Sequence, residues 1–142
     1  MLRFLSVVAL ALMLLCGCKH PAPEEALRRN IAQMQEAVSE RDAGALSDGI
    51  APDFIGPNGM GREDAGRLAR VVFLRNKHVG VTLGPLDVAM REGGATVKFT
   101  AALTGGGGGL LPDNGQVYDV TTTWRQDGDE WVLLSAEWTP KL

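Results

Sequence analysis

Cysteine is nearly absent from this chain, and what there is stands in one place. Among 142 residues there are two cysteines, two histidines and one tyrosine. Cys16 and Cys18 both sit at the N-terminal end, so nothing beyond Cys18 can form a disulfide, a thiolate nucleophile or a cysteine metal ligand. His20 and His78 are far apart in sequence, so the chain lacks the ligand set of a tetrahedral zinc site; no metal and no cofactor are expected. Positive charge is also short: 14 Lys and Arg face 17 Asp and Glu, a net charge of −3. No basic stripe runs through the sequence, which argues against nucleic acid as a partner. The glycine run Gly105–Gly109 is not followed by the Lys-Ser/Thr pair of a phosphate loop, and no helix pattern follows it. It reads as a flexible strand connection or, with Leu110 and Leu111, as a lid over a cavity mouth.

A spanning helix needs roughly 20 apolar residues. The run Phe4–Leu15 is shorter, follows one basic residue, Arg3, and stops at Cys16-Gly17-Cys18, the shape of a signal-peptide core. Leu15-Cys16-Gly17-Cys18 resembles the bacterial lipoprotein signal: an aliphatic residue, two small ones, then a cysteine whose thiolate accepts a diacylglyceryl group. The resemblance implies that residues 1–17 are a cleaved signal peptide and that Cys18 is lipidated. Residues 18–23 would then tether a domain of residues 24–142 to the bilayer. Lys19 after the modified cysteine implies the outer membrane, with the domain facing the periplasm of a bacterial cell envelope. An uncleaved anchor helix and an ordinary secretory signal stay open as alternatives. Pro21 and Pro23 favour extended backbone, and at ~3.3 Å per residue the tether holds the domain within roughly 20 Å of the lipid.

Beyond the tether, Leu27, Ile31, Met34 and Val38 make one apolar stripe of a helix over Glu24–Arg41. Asp42 caps a short second helix that stops at Gly49. A short strand, Asp53–Gly56, leads through the turn Pro57-Asn58-Gly59 to a third helix, Gly61–His78. Its apolar face is Ala65, Leu68, Ala69, Val72 and Phe73; Arg62, Arg67, Arg70 and Arg75 lie mostly on the other, as a solvated surface or a contact with anionic lipid. His78 is expected at its C-terminal end, where a cation favours the carbonyl dipole. The period then changes to two. One strand is expected over Val81–Met90 with an irregularity at Gly84-Pro85, and another over Ala95–Thr104 with Ala95, Val97, Phe99, Ala101 and Leu103 on one face.

The last stretch holds all three tryptophans and the tyrosine: V-Y-D-V-T-T-T-W-R-Q, then D-G-D-E, then W-V-L-L-S-A-E-W. Two β-rich runs around Asp127-Gly128 are a hairpin signature. Trp124, the Asp127-Gly128 turn, Trp131 and Leu133, together with the element order, resemble the closing hairpin of the nuclear transport factor 2-like superfamily over residues 24–138. The resemblance implies an α+β fold in which N-terminal helices pack on a strongly curved antiparallel β-sheet, a cone-shaped, cystatin-like roll. Such a cone leaves a cavity. The superfamily includes isomerase-like, cyclase-like and dehydratase enzymes as well as binding modules, so fold alone does not settle function.

On the last strand Trp131, Leu133, Ser135 and Glu137 share one face and Val132, Leu134, Ala136 and Trp138 the other. The resemblance implies that the Trp131 face looks into the cone, whereas the Trp138 face is the more apolar; one register slip reverses the choice. If Glu137 points inward, burial raises its pKa and makes it a candidate general base. Asp53 is the second catalytic candidate. The expected pocket wall is Met34, Phe73, Tyr118, Thr122, Trp124, Trp131, Ser135 and Glu137. The expected function is binding of a small apolar ligand or a protein partner without catalysis; the alternative is a small-molecule isomerase, lyase or hydrolase. Homodimerisation through the Thr-rich sheet strand Asp119–Thr123 is the expected self-association.

Overall fold

The computed structural model describes residues 21–107 and 114–141. Cys18, the expected lipidation site, the expected signal peptide and the Leu110-Leu111 segment lie outside these residues. The element order is α1 (Pro23–Ser39), α2 (Ala43–Asp48), β1 (Ile50–Ile55), a 3-10 turn (Pro57–Gly59), α3 (Arg62–Arg75), β2 (His78–Leu83), β3 (Asp87–Arg91), β4 (Gly94–Gly106), β5 (Asn114–Asp127) and β6 (Glu130–Pro140). The architecture is α+β. Among the described residues the sheet runs β1-β6-β5-β4-β2, with β3 paired to the first half of β4. β1 is parallel to β6, so the sheet is mixed rather than wholly antiparallel, and it is not closed.

Pro23 opens α1, where its missing N–H would be unpaired in any case, and Glu24 and Glu25 complement the positive end of the dipole. The expected stripe is the buried one, but its two halves do different things. Leu27 and Ile31 are buried in the core, while Met34 and Val38 are half-buried. Asp42 caps α2 by accepting from the Ala45 N–H at 2.9 Å.

Arg41 joins the first two helices in the left-handed region, φ 57°. Its Nη1 donates to the carbonyls of Phe73 at 3.1 Å and Asn76 at 3.2 Å, at the end of α3. Asn76 Nδ2 donates to the Val72 carbonyl at 2.9 Å. The helix thus ends before His78, which is an exposed first residue of β2 and caps nothing. Left-handed backbone costs a side-chain-bearing residue about 1–2 kcal/mol, so Arg41→Gly should be more stable than Arg41→Ala by about 1 kcal/mol although both lose the cap. Urea unfolding of the two variants side by side checks the ordering.

The single strand expected over Val81–Met90 is two. β2 pairs with Ala101–Gly106 of β4 and β3 with Gly94–Lys98, and the break between them spans residues 84–86. Pro85 has no N–H to give to the ladder, and the Gly84 N–H turns to the Thr100 carbonyl at 2.8 Å. The β5–β6 hairpin forms on its expected turn. Asp127 faces Glu130, leaving the two-residue loop Gly128-Asp129, with Gly128 at φ 62°, a conformation natural to glycine.

One end of the sheet, next to this turn, is filled by large side chains: Leu27, Ile31, Val97, Trp124 and Trp131 are all buried. Trp124 Nε1 donates to Thr122 Oγ1 at 2.8 Å, and Thr122 Oγ1 donates to the Val97 carbonyl at 3.0 Å. Trp131 is 2% exposed and its Nε1 has no partner among the described residues. All core residues described lie between Ala26 and Ala136, so residues 19–142 contain the core that holds the domain together.

Candidate functional site

The inward residues of β5 follow from its register. Trp124 faces Ala95, Thr122 faces Val97, Val120 faces Phe99 and Tyr118 faces Ala101. On β6 the register slips once. Trp124 opposes Leu133, but Thr123 opposes Ser135, which leaves Leu134 as an extra residue, a β-bulge. The bulge moves the inward face from Trp131 and Leu133 to Ala136 and Trp138. Both readings of the last strand are therefore correct over half its length. After the bulge Ser135 pairs with Thr123 and Glu137 with Thr121, on the face away from the core.

Past the bulge the packing loosens. The inward residues there include Ala101 and Ala136 on the sheet, and Ala65 and Ala69 face them from α3. Four short side chains converge from three elements and leave a cavity of about 470 Å³. Seventeen of the described residues line it. Met34 and Val38 come from α1, Leu46 from α2, Ile50 and Phe54 from β1, Met60 from the loop after the 3-10 turn, Leu68 and Val72 from α3, and Leu103, Tyr118, Val120, Leu133 and Trp138 from the sheet. Apart from the Tyr118 hydroxyl and the Trp138 indole, the wall is hydrocarbon and thioether. Among the described residues no acid, imidazole or amide side chain lines it. Leu68, Val72, Leu103 and Trp138 line the cavity and are also exposed, so they form its rim.

Of the eight expected wall residues, Met34 and Tyr118 are on the cavity. Phe73, Thr122, Trp124 and Trp131 are core instead, each at most 7% exposed and none on the cavity wall. Ser135 and Glu137 are removed from it by the bulge: Ser135 is half-buried and Glu137 exposed on the outer face. The burial that would have made Glu137 a base does not occur. The missed wall residues were signalled by alanines at inward positions, Ala65 and Ala69 on the apolar helix face and Ala101 on the β4 face, where small side chains mean unfilled space.

Asp53 is also outside the cavity. It is exposed on β1, and Arg125 reaches it from β5 across the intervening β6, donating from Nη1 to Oδ2 at 2.9 Å and from Nη2 to Oδ1 at 3.0 Å. This two-pronged hydrogen bond holds the Asp53 carboxyl below its usual range and raises Arg125. Because the folded pKa is depressed, the pair contributes above the ordinary aspartate value of 3.8 and its contribution is lost as pH falls through the folded value. Asp53→Asn should therefore destabilise at neutral pH, with the gap from the parent closing in acid and shrinking in high salt. Urea midpoints at several pH values and salt concentrations measure it; a gap that survives in acid would mean that the pair is not its source. Among the described residues no group of three His, Cys, Asp or Glu side chains is placed to hold a metal ion.

No protein-family model matches the sequence, and no curated protein matches it. Solved structures do. A candidate dehydratase of the NTF2-like family from Streptomyces avermitilis superposes with a TM-score of 0.72 at 20% identity, over 84% of this chain and 97% of its own. A candidate scytalone dehydratase from Novosphingobium aromaticivorans gives 0.71 at 11% identity, over 84% of each chain. Bd1075 of Bdellovibrio bacteriovorus gives 0.72 at 15% identity over 82% of this chain; the match spans 41% of Bd1075. At these identities the likeness is one of backbone, and it agrees with the element order and register above: the chain has the fold of the nuclear transport factor 2-like superfamily.

Proposed function

We propose that this chain is an envelope lipoprotein whose domain binds a small apolar ligand without catalysing its conversion. The observation that carries the binding reading is the cavity wall: about 470 Å³ enclosed almost wholly by hydrocarbon, with one hydroxyl and one indole to orient a ligand. Volumes of roughly 300–1,000 Å³ are those of small-molecule pockets. General acid–base chemistry needs a titratable group within hydrogen-bond reach of the reacting atom. Glu137 and Asp53 both lie outside the cavity, so neither meets that need.

A second reading, a small-molecule isomerase, lyase or hydrolase, draws support from the Tyr118 hydroxyl on the wall and from the dehydratase candidates that share the fold. Native mass spectrometry of the protein purified from a bacterial envelope separates the two. The binding reading expects an apolar adduct that leaves unchanged on denaturation. It is overturned by a bare protein that also fails to bind uncharged apolar probes, or by turnover that Tyr118→Phe abolishes.

The tether is carried by Leu15-Cys16-Gly17-Cys18, and with Lys19 the reading places the domain on the outer membrane, facing the periplasm. Cys18→Ala should leave the leader uncleaved and the protein without lipid. A Cys18→Ala protein that is still processed to the same N-terminus and retained with the outer membrane would overturn the lipoprotein reading.

A further inference from the structure

Helix α3 covers the cavity with one side and leaves much of the other bare. Leu68, Val71, Val72 and Leu74 are exposed, Leu74 by 87%. At spacings of three and four they are neighbours on the helix surface. Leu68 and Val72 continue into the cavity rim, where Leu103 and Trp138 stand exposed on the sheet side. Scattered exposed apolar residues are ordinary; this many on one helix, joined to the mouth of an apolar cavity, form a patch.

The charge around the patch is opposite to that of the molecule. From Arg62 to Lys77 there are five Lys and Arg against Glu63 and Asp64, in a chain of net charge −3. Arg67 is engaged by Asp64, whereas among the described residues no ion pair engages Arg70 or Arg75. Exposed apolar side chains interleaved with arginine, with a tryptophan beside them, are what an anionic bilayer surface accepts. The apolar groups enter the headgroup–acyl boundary, guanidinium groups stay with phosphate, and the indole sits between.

We infer that the exposed side of α3, together with the cavity rim, docks on an anionic phospholipid bilayer, so that the mouth of the cavity opens onto lipid. A two-fold contact between copies would set this arginine-bearing face against itself, like charge on like, whereas an anionic bilayer complements it, so the charge favours a lipid surface over a second copy. The docking needs neither Cys18 nor a bound ligand. Only its corollary, that the ligand enters from the bilayer, rests on the binding reading proposed above.

The test uses residues 19–142, which contain the core but cannot be lipidated, in sedimentation with phosphatidylglycerol–phosphatidylethanolamine vesicles and with phosphatidylcholine vesicles. The protein should bind the anionic vesicles, and salt should weaken that binding. Val71→Ser with Leu74→Ser should weaken it by ~10-fold or more through lost apolar insertion. Arg70→Ala with Arg75→Ala should weaken it on the order of 10-fold through lost charge. Neither pair lines the cavity, so uptake of an uncharged apolar probe should persist in both. Ala136→Leu should show the reverse, keeping vesicle binding and losing the probe, which separates failure of docking from failure of the pocket. No binding to anionic vesicles, equal binding to both vesicle types, or binding that both variant pairs leave unchanged would overturn the inference. So would a dimer, seen by light scattering without vesicle binding and abolished by Val71→Ser with Leu74→Ser, since the patch would then belong to a second copy.

Discussion

Replacing Trp131 with alanine is expected to lower stability by about 3–5 kcal/mol, the range for truncating a buried aromatic core residue. Against a typical domain stability of about 5–15 kcal/mol that is a large fraction, and part of the protein should be unfolded at body temperature. Trp131 stands where β6 leaves the hairpin turn, beneath α1, and Asn30 Nδ2 of that helix donates to its carbonyl at 2.8 Å. Removing the ring leaves a void among buried Leu27, Trp124 and Val97 in a region already held by backbone pairing, so collapse cannot refill it. The chemistry of the indole makes a second, finer distinction. Trp131 Nε1 has no partner among the described residues, so Trp131→Phe loses volume but no hydrogen bond from that atom. Trp124→Phe removes the donor to Thr122, adding roughly 0.5–1.5 kcal/mol. Trp138→Ala, at the exposed rim, should cost least. Urea unfolding followed by far-ultraviolet circular dichroism measures all four variants. If Trp138→Ala proved as damaging as Trp131→Ala, the placement of the core at the turn end would be wrong.

The aliphatic residues of that core were legible in the sequence; the cavity, and the place of Trp124 and Trp131 in the core rather than on its wall, were not, and the difference has a physical cause. An apolar face writes itself locally, whether it ends against core or cavity: Leu27, Ile31, Met34 and Val38 recur at helical spacing, Ala95 to Leu103 alternates, and Asp127-Gly128 admits a tight turn. The bulge at Leu134 had no such signature. Val132, Leu133, Leu134 and Ala136 are apolar on both faces of the strand, so a period of two cannot choose between them. The choice is made by pairing with β5 and by packing against α1 and β1 together. Parallel pairing of β1 with β6 escaped for the same reason, because a strand of six residues carries no record of its neighbour. Glu137 drew attention by its chemistry, but its side of the strand hung on that one unpaired residue. The cavity is the absence of side-chain volume at Ala65, Ala69, Ala101 and Ala136, which are adjacent only after folding.

That origin supplies the second large expected effect. If four alanines make the cavity, lengthening one of them should fill it. Ala136→Leu projects from β6 into the space between the sheet and α3. For a ligand that occupies the cavity, the added carbons should weaken binding by roughly 10-fold or more, with 1.4 kcal/mol for each factor of ten. For the empty protein the same carbons become buried apolar contacts, and cavity filling commonly stabilises by about 0.5–2 kcal/mol. Binding and stability should therefore move in opposite directions, which simple damage to the fold would not produce. Ala102→Leu is the control: Ala102 pairs with Val117 on the outer face of β4, where extra volume meets solvent. Titration with an uncharged naphthylamine probe and urea unfolding of each variant give both numbers. Lower stability together with weaker binding in Ala136→Leu would point to overpacking in a site with no room for a ligand. Unchanged binding would place the ligand elsewhere, because a leucine at this position cannot share the cavity with a molecule that fills it.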